Sequence, residues 1–256
     1  MKRVVVGCCG FPTARRRYYS VFKVVELQNT FYDLPSIDWA KSLRREAPED
    51  FEFAIKAWQV ITHPHTSPTW KKMKNKVVGK VENYGYLKPT MENLTALEKT
   101  IEVARALKAK LIILQTPSSM PNTEKTIKDV DAFFEASRSI IKDEILSWEI
   151  RGPLLNNPSL IRVLEKNDVV QVVDLFRVRN PFKGTHRLLY TRLHGIGPGE
   201  VNYSYNYTDE DLERLYEMLI EEDYDVGYVM FNNVRMFDNA QRFKEIATKK
   251  GEIAIS

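Results

Sequence analysis

Apolar residues along the chain gather into short continuous runs, and longer stretches, several with helical spacing, lie between them. Eight runs stand out: Val4 to Cys8, Lys23 to Gln28, Glu52 to Ala57, Leu111 to Gln115, Ile145 to Ile150, Val169 to Asp174, Leu188 to His194 and Gly227 to Asn232. Runs of this length, rich in β-branched residues, suit strands buried on both faces. Their alternation with helical stretches predicts a parallel sheet with crossover helices. Eight is the number of strands that closes a (β/α)8 TIM barrel, so an α/β barrel is the expected fold class.

The intervening stretches support this unevenly. Thr90 to Lys110 puts Leu94, Leu97, Ile101, Ala104 and Leu107 on one face of a helix. Asn157 and Pro158 read as a cap and first-turn proline ahead of Leu160, Ile161 and Leu164. Thr208 with Asp211 reads as a capping box before Leu212, Leu215 and Leu219. A last helix is expected near Asn239 to Lys249, burying Ala240, Phe243 and Ile246. The segments Arg15 to Ser20 and Phe176 to Arg187 are too short or broken for a full helix. With no linker or internal repeat, residues 1–256 read as one barrel domain. Residues 58–89 stand out as a long basic loop or small subdomain after the third strand, with Lys71, Lys72, Lys74, Lys76 and Lys80 and no acidic residue until Glu82.

Composition adds limits. At 256 residues, 43% hydrophobic and 28% charged, the chain can fill a large core and solvate its surface. A formal charge of +4 permits anionic partners without marking a nucleic-acid binder. Cys8 and Cys9 are adjacent and staple nothing together, which excludes a disulfide framework and makes a cytoplasmic setting the expectation. The apolar start is too short for a signal sequence, and no run approaches the ~20 apolar residues of a membrane helix.

Candidate chemistry follows from strand parity. In a barrel, alternate residues point inward and the site lies at the C-terminal strand ends. Those positions hold Glu26 and Gln28, Lys56, Gln115, Glu149 and Arg151, Asp174, Arg192 and His194, and Asn232. Three carboxylates (Glu26, Glu149, Asp174) thus face three cations (Lys56, Arg151, Arg192), and a mouth whose charges simply neutralise one another is the competing reading. Glu149, Asp174, His194 and Glu26 could also ligate a divalent ion, but there is no close ligand pair and the cations oppose one, so no metal and no cofactor is expected. His63 lies near enough to the third strand to reach the mouth, whereas His65 and His186 read as solvated loop residues. Tyr203, Tyr205 and Tyr207 alternate, so an extended backbone would present three rings on one side, to a base, a sugar or the rim.

The chain resembles the DUF72 (YecE-like) family. The resemblance rests on Val25-Glu26-Leu27-Gln28-Asn29-Thr30-Phe31-Tyr32 with Leu34-Pro35, on Phe51 to Ala57 with Ile61-Thr62-His63, and on Gln115-Thr116-Pro117. Trp148-Glu149-Ile150-Arg151, Arg192-Leu193-His194-Gly195 and Phe231-Asn232-Asn233 complete it. It implies a TIM barrel of unassigned activity with a shared site at these positions, and an analogy with barrels that cut or repair nucleic acid. Phe11 to Tyr19 departs from the family pattern, a short arginine-rich link replacing a longer tryptophan-containing loop.

The resulting expectation is an enzyme doing hydrolase- or lyase-type acid–base chemistry on a small anionic or sugar-like molecule. Glu26 or Glu149 would be the acid or base, with Asp174 beside them and His194 able to move a proton. Lys56, Arg151 and Arg192 would hold an anionic group, while Asn29, Thr30, Tyr32, His63, Gln115 and Asn232 would contact the substrate. The alternatives are a nucleic-acid binding or cleaving protein using the lysine loop, and a ligand sensor without turnover.

Overall fold

The computed structural model describes residues 2–256. In chain order it contains β1 (Arg3–Cys9), α1 (Arg15–Val21), β2 (Val24–Leu27), α2 (Asn29–Tyr32), α3 (Ile37–Glu46), β3 (Glu52–Lys56), α4 (Gln59–Thr62), α5 (Met91–Leu107) and β4 (Leu111–Gln115). Then follow α6 (Glu124–Ser137), β5 (Ile145–Glu149), α7 (Leu160–Asn167), β6 (Val170–Val173), β7 (Leu188–Leu193), α8 (Asp209–Glu221), β8 (Val226–Phe231), α9 (Met236–Lys250) and β9 (Ala254–Ile255). The eight expected strands are all present, most of them trimmed by a residue or two at an end. The trimming leaves Asp174, His194 and Asn232 just beyond their strands, and Arg151 two residues past β5, on the connections that follow.

The residues group into two compact units, one made of the N-terminal residues through Glu26, Pro48–Glu52 and Val170–Ser256, the other of Leu27–Ala47 and Phe53–Val169.

In the first unit the parallel order is β6, β7, β8, β1, β9, and β2 also pairs with β1. The β1–β2 register sets Gly7 against Val24, where a Cβ on Gly7 would stand 2.4 Å from the Val24 carbonyl oxygen, so only glycine lets the strands approach. Tyr18, on the short helix α1, ties the same strands: the Cys8 N–H donates to its hydroxyl at 2.8 Å, and that hydroxyl donates to Val24 O at 2.8 Å. Arg15 to Val21 is thus helical where the sequence promised little, and the buried ring of Tyr18 is the tertiary anchor that makes so short a helix stable. Thr208 and Asp211 form the expected capping box at the start of α8. The stretch from Asp174 to Arg187 holds no helix; the buried Glu222 carboxylate fastens it by accepting from the Asn180 N–H at 2.8 Å and pairing with Lys183 at 2.9 Å. β9, which no pattern announced, adds to β1 through Arg3↔Ala254 and Val4↔Ile255.

In the second unit β3, β4 and β5 run parallel, with Lys56 opposite Ile113 and Gln115 opposite Glu149. Helix α5 begins at the Thr90 cap, whose hydroxyl accepts from the Asn93 N–H, and it buries Leu97, Ile101, Ala104 and Leu107 as its spacing predicted; Leu94 is only half-buried. The Asn157–Pro158 expectation is corrected. The Asn157 side chain accepts from the Ser159 N–H at 2.9 Å in a turn, and α7 starts two residues past the proline at Leu160. Between Trp58 and Pro89 the chain forms α4 and two 3-10 turns, Pro68–Lys72 and Val81–Asn83, and is otherwise irregular.

Candidate functional site

Within the first unit, the carboxylate of Glu26 lies in full burial and both its oxygens are held. Arg192 Nη2 meets Oε1 at 2.9 Å, and the Tyr190 hydroxyl donates to Oε2 at 2.8 Å. Parity explains the meeting: Tyr190 and Arg192 are two apart on β7, so both point to one face. The Cys9 thiol is held well above its ordinary range, first by burial and then by the Glu26 charge, which makes it an inert neighbour. Tyr190 stacks on Tyr228 at 5.7 Å.

Beyond the strand ends of the same unit lies a second group. Asp174 accepts the His194 backbone N–H at 3.0 Å and the Phe176 N–H at 3.0 Å, and Arg177 Nε lies 3.9 Å from its carboxylate. Burial raises the Asp174 pKa above the usual carboxylate value, against those two N–H groups. His194 is 4% exposed, and its Nδ1 lies 3.1 Å from Asn232 Nδ2. Gly195 follows at φ +85°; a Cβ there would stand 2.0 Å from Asn202 O. Its N–H donates to the Tyr207 hydroxyl at 2.7 Å, and its carbonyl accepts from Arg177 at 3.1 Å. His194 is therefore seated by its backbone, by one ring nitrogen and by the turn after it.

Within the second unit, Lys56 Nζ lies 3.8 Å above the Phe31 ring, and His63 meets the edge of that ring at 5.0 Å. The His63 pKa is pushed down to about 3, by burial first and then by the Lys56 and Arg151 charges, so its imidazole is neutral at pH 7. Thr62 Oγ1 lies 2.8 Å from its Nδ1. Glu149 accepts from Arg151 at 2.8 Å. Gln115, opposite Glu149, is 7% exposed.

The remaining sequence candidates sit differently from expectation. Asn29, Thr30 and Tyr32, expected to contact the substrate, form the helical turn α2. Thr30 is fully buried and its hydroxyl lies 2.7 Å from Lys56 O and 3.0 Å from Leu27 O, so it fastens backbone. Asn29 is exposed, Gln28 half-buried, and Tyr32 O accepts from Gln59 at 2.9 Å. The tyrosine row does not form one face. Tyr203 is 43% exposed near His194, Tyr205 donates to Asp211 at 2.7 Å, and Tyr207 is buried under Gly195. His65 and His186 are exposed as expected. Tyr190, Arg177 and Phe31 are the residues that pattern reading passed over; only Tyr190 carried a signal, its shared parity with Arg192. The neutralising reading gains from Glu26–Arg192 and Glu149–Arg151, each paired within its own unit. No group of three or more His, Cys, Asp or Glu side chains among the described residues is placed to hold a metal ion. No described helix is long and apolar enough to cross a membrane.

The sequence profile of the family described as "Protein of unknown function DUF72" matches residues 12–254. The chain belongs to the DUF72 family. A DUF72 family protein from Enterococcus faecalis V583 is 17% identical over 97% of this chain and 98% of its own, with a TM-score of 0.71. One from Thermotoga maritima MSB8 is 24% identical over 96% and 99%, with a TM-score of 0.67. A xylose isomerase domain-containing protein from Salmonella typhimurium LT2 is 13% identical over 96% and 95%, with a TM-score of 0.57. These likenesses show the fold of this DUF72 chain, a (β/α)8 TIM barrel. No curated protein matches the sequence.

Proposed function

We propose that this DUF72 protein is an enzyme that moves protons on a small anionic or sugar-like molecule, in a reaction of the hydrolase or lyase type, at the ends of β6, β7 and β8. The observation that carries the reading is the seating of His194. A buried imidazole is fixed by Asp174 through its backbone and by Asn232 at Nδ1. A ring held at Nδ1 and by its backbone keeps one orientation, as general acid–base work by an imidazole requires. Asp174 and Asn232 position the ring, and the Glu26–Tyr190–Arg192 group stiffens the strand that delivers it. Fold likeness adds nothing to the choice of reaction.

The test is a panel of aldoses, ketoses, sugar acids and their phosphate esters incubated with the protein in D2O and followed by proton NMR for exchange at carbon or for bond cleavage. At least one compound is expected to turn over, and His194→Gln to slow it by ~10²–10⁴-fold, the usual worth of a general acid–base group. Undiminished turnover in His194→Gln, or none across the panel, refutes the reading.

A second reading draws on one observation: Lys71, Lys72, Lys74, Lys76 and Lys80 are all exposed on one short segment. They would grip a nucleic-acid backbone, with affinity for a single-stranded oligonucleotide falling steeply as salt rises. Absence of binding at low salt in a fluorescence anisotropy titration disposes of it.

A further inference from the structure

The basic segment is tied down at both ends. At one end Asp33 accepts the N–H groups of Lys74 and Asn75 at 3.3 and 3.1 Å, and the Asn75 side chain donates to Leu34 O at 3.0 Å. At the other, one carboxylate oxygen of Glu92 accepts from the Lys80 N–H at 3.2 Å and from Asn83 at 2.7 Å, while the Tyr84 hydroxyl donates to Val78 O at 2.7 Å. The strap so formed borders two cavities of the second unit, of about 490 and 190 Å³, and Trp58 and Lys99 line both. Leu34, Pro35, Ile37, Val103 and Lys76 add to the larger, and Val78, Tyr84 and Met91 to the smaller.

Two independent features point to an occupant. Trp58 is 3% exposed, yet its indole Nε1–H has no acceptor among the described residues, a cost that a small shift toward a ligand oxygen would remove. Val78 and Met91, 72% and 75% exposed, are two large apolar side chains left in water at the rim of the same cavity. An apolar body covering them is favoured by the area it removes from water. The charges select the head group. Lys76 and Lys99 stand at the larger cavity against Glu102 alone, and Glu92 at the smaller is already engaged by the strap.

We propose that the strap over Trp58 and Lys99 forms a binding site for an amphipathic anion, an aromatic or branched-acyl carboxylate or sulfonate. Its apolar part would lie against Val78 and Met91, and its anionic oxygens would lie between Lys76 and Lys99, one of them accepting from Trp58 Nε1–H. The site is separate from the His194 group and does not depend on the proton-transfer reading.

The probe is 8-anilinonaphthalene-1-sulfonate, titrated into the full chain by fluorescence, with its neutral relative N-phenyl-1-naphthylamine as comparison. The expected result is saturable binding at one site and affinity at least ~tenfold weaker for the neutral compound. Lys99→Glu and Val78→Asp should each weaken binding at least ~tenfold, and Trp58→Phe ~threefold or more. Lys128→Glu, an exposed lysine on α6, serves as control and should change it less than ~twofold. Lys99 and Val78 are exposed, so their variants are expected to unfold at the native temperature, which separates loss of the site from loss of the fold. Non-saturable binding, equal affinity for the neutral probe, or Lys99→Glu and Val78→Asp variants that bind as well as the control overturns the proposal.

Discussion

Removing one partner from the buried group around Glu26 should cost far more than a surface substitution. Arg192→Met keeps the length and apolar stem of the side chain and deletes the guanidinium, leaving a carboxylate with 0% exposure facing Tyr190. Stranding a buried charge in this way costs about 3–5 kcal/mol. Tyr190→Phe keeps the ring stacked on Tyr228 and removes only the donor to Oε2, for which about 1.5–3 kcal/mol is expected, the worth of a hydrogen bond to a charged group. In Glu26→Gln with Arg192→Met both charges are gone, so the pair should lose less than the sum of its single variants, by at least ~1 kcal/mol for residues in direct contact. Urea unfolding followed by far-UV circular dichroism and tryptophan fluorescence gives these values, with coincidence of the two signals checking that one transition is measured. Losses under ~1 kcal/mol in Arg192→Met, or strict additivity in the double variant, would mean that the ion pair does not hold this part of the protein together.

Two further outcomes are expected. His63, with a folded pKa of about 3 against an ordinary value near 6.5, binds fewer protons folded than unfolded, so its contribution to stability is complete above ~6.5 and declines as pH falls toward 3. In ¹³C-labelled protein its ring signal should stay in the neutral position at pH 5; a His63 midpoint above 6 contradicts the burial and the two cations invoked. Thr208→Ala removes the side-chain half of the α8 capping box and should cost ~0.5–2 kcal/mol, a drop of a few degrees in thermal midpoint by calorimetry; an unchanged midpoint would show the cap to be idle.

The strands were legible because β-branched apolar runs between polar breaks have few other uses in a chain of this composition. Helices were legible where an apolar face coincided with a clear cap, as at Thr90 and Thr208. Helix α6 went unread although Val130, Phe133 and Phe134 share a face, because its cap, Thr123, follows a loop rich in Pro, Ser and Asn that masks the start. The turn α2 was unreadable for a different reason: four residues cannot hold a helix by propensity, and only the buried Phe31 and the Thr30 hydroxyl keep it. Parity puts Arg192 and His194 on one strand, whereas β7 ends at Leu193 and leaves His194 on the connection, and it gives no hint that Glu26 spends both oxygens on Arg192 and Tyr190. Distances between strands far apart in sequence are not encoded in the period of either one. The tyrosine row failed similarly, since alternation implies a common face only for an extended backbone, and residues 201–208 turn instead.

Strand β1 matters in one more way. Its neighbours are β2, β8 and β9, and its register with β8 sets Arg3 against Val226. A ribosome therefore releases this strand long before most of its hydrogen-bonding partners exist, whereas β3, β4 and β5 are synthesised in one continuous stretch. During translation the second unit can begin to assemble while β1, with only β2 to pair with, waits for β8 and β9, leaving an apolar strand edge that is a natural client for a chaperone that binds nascent chains.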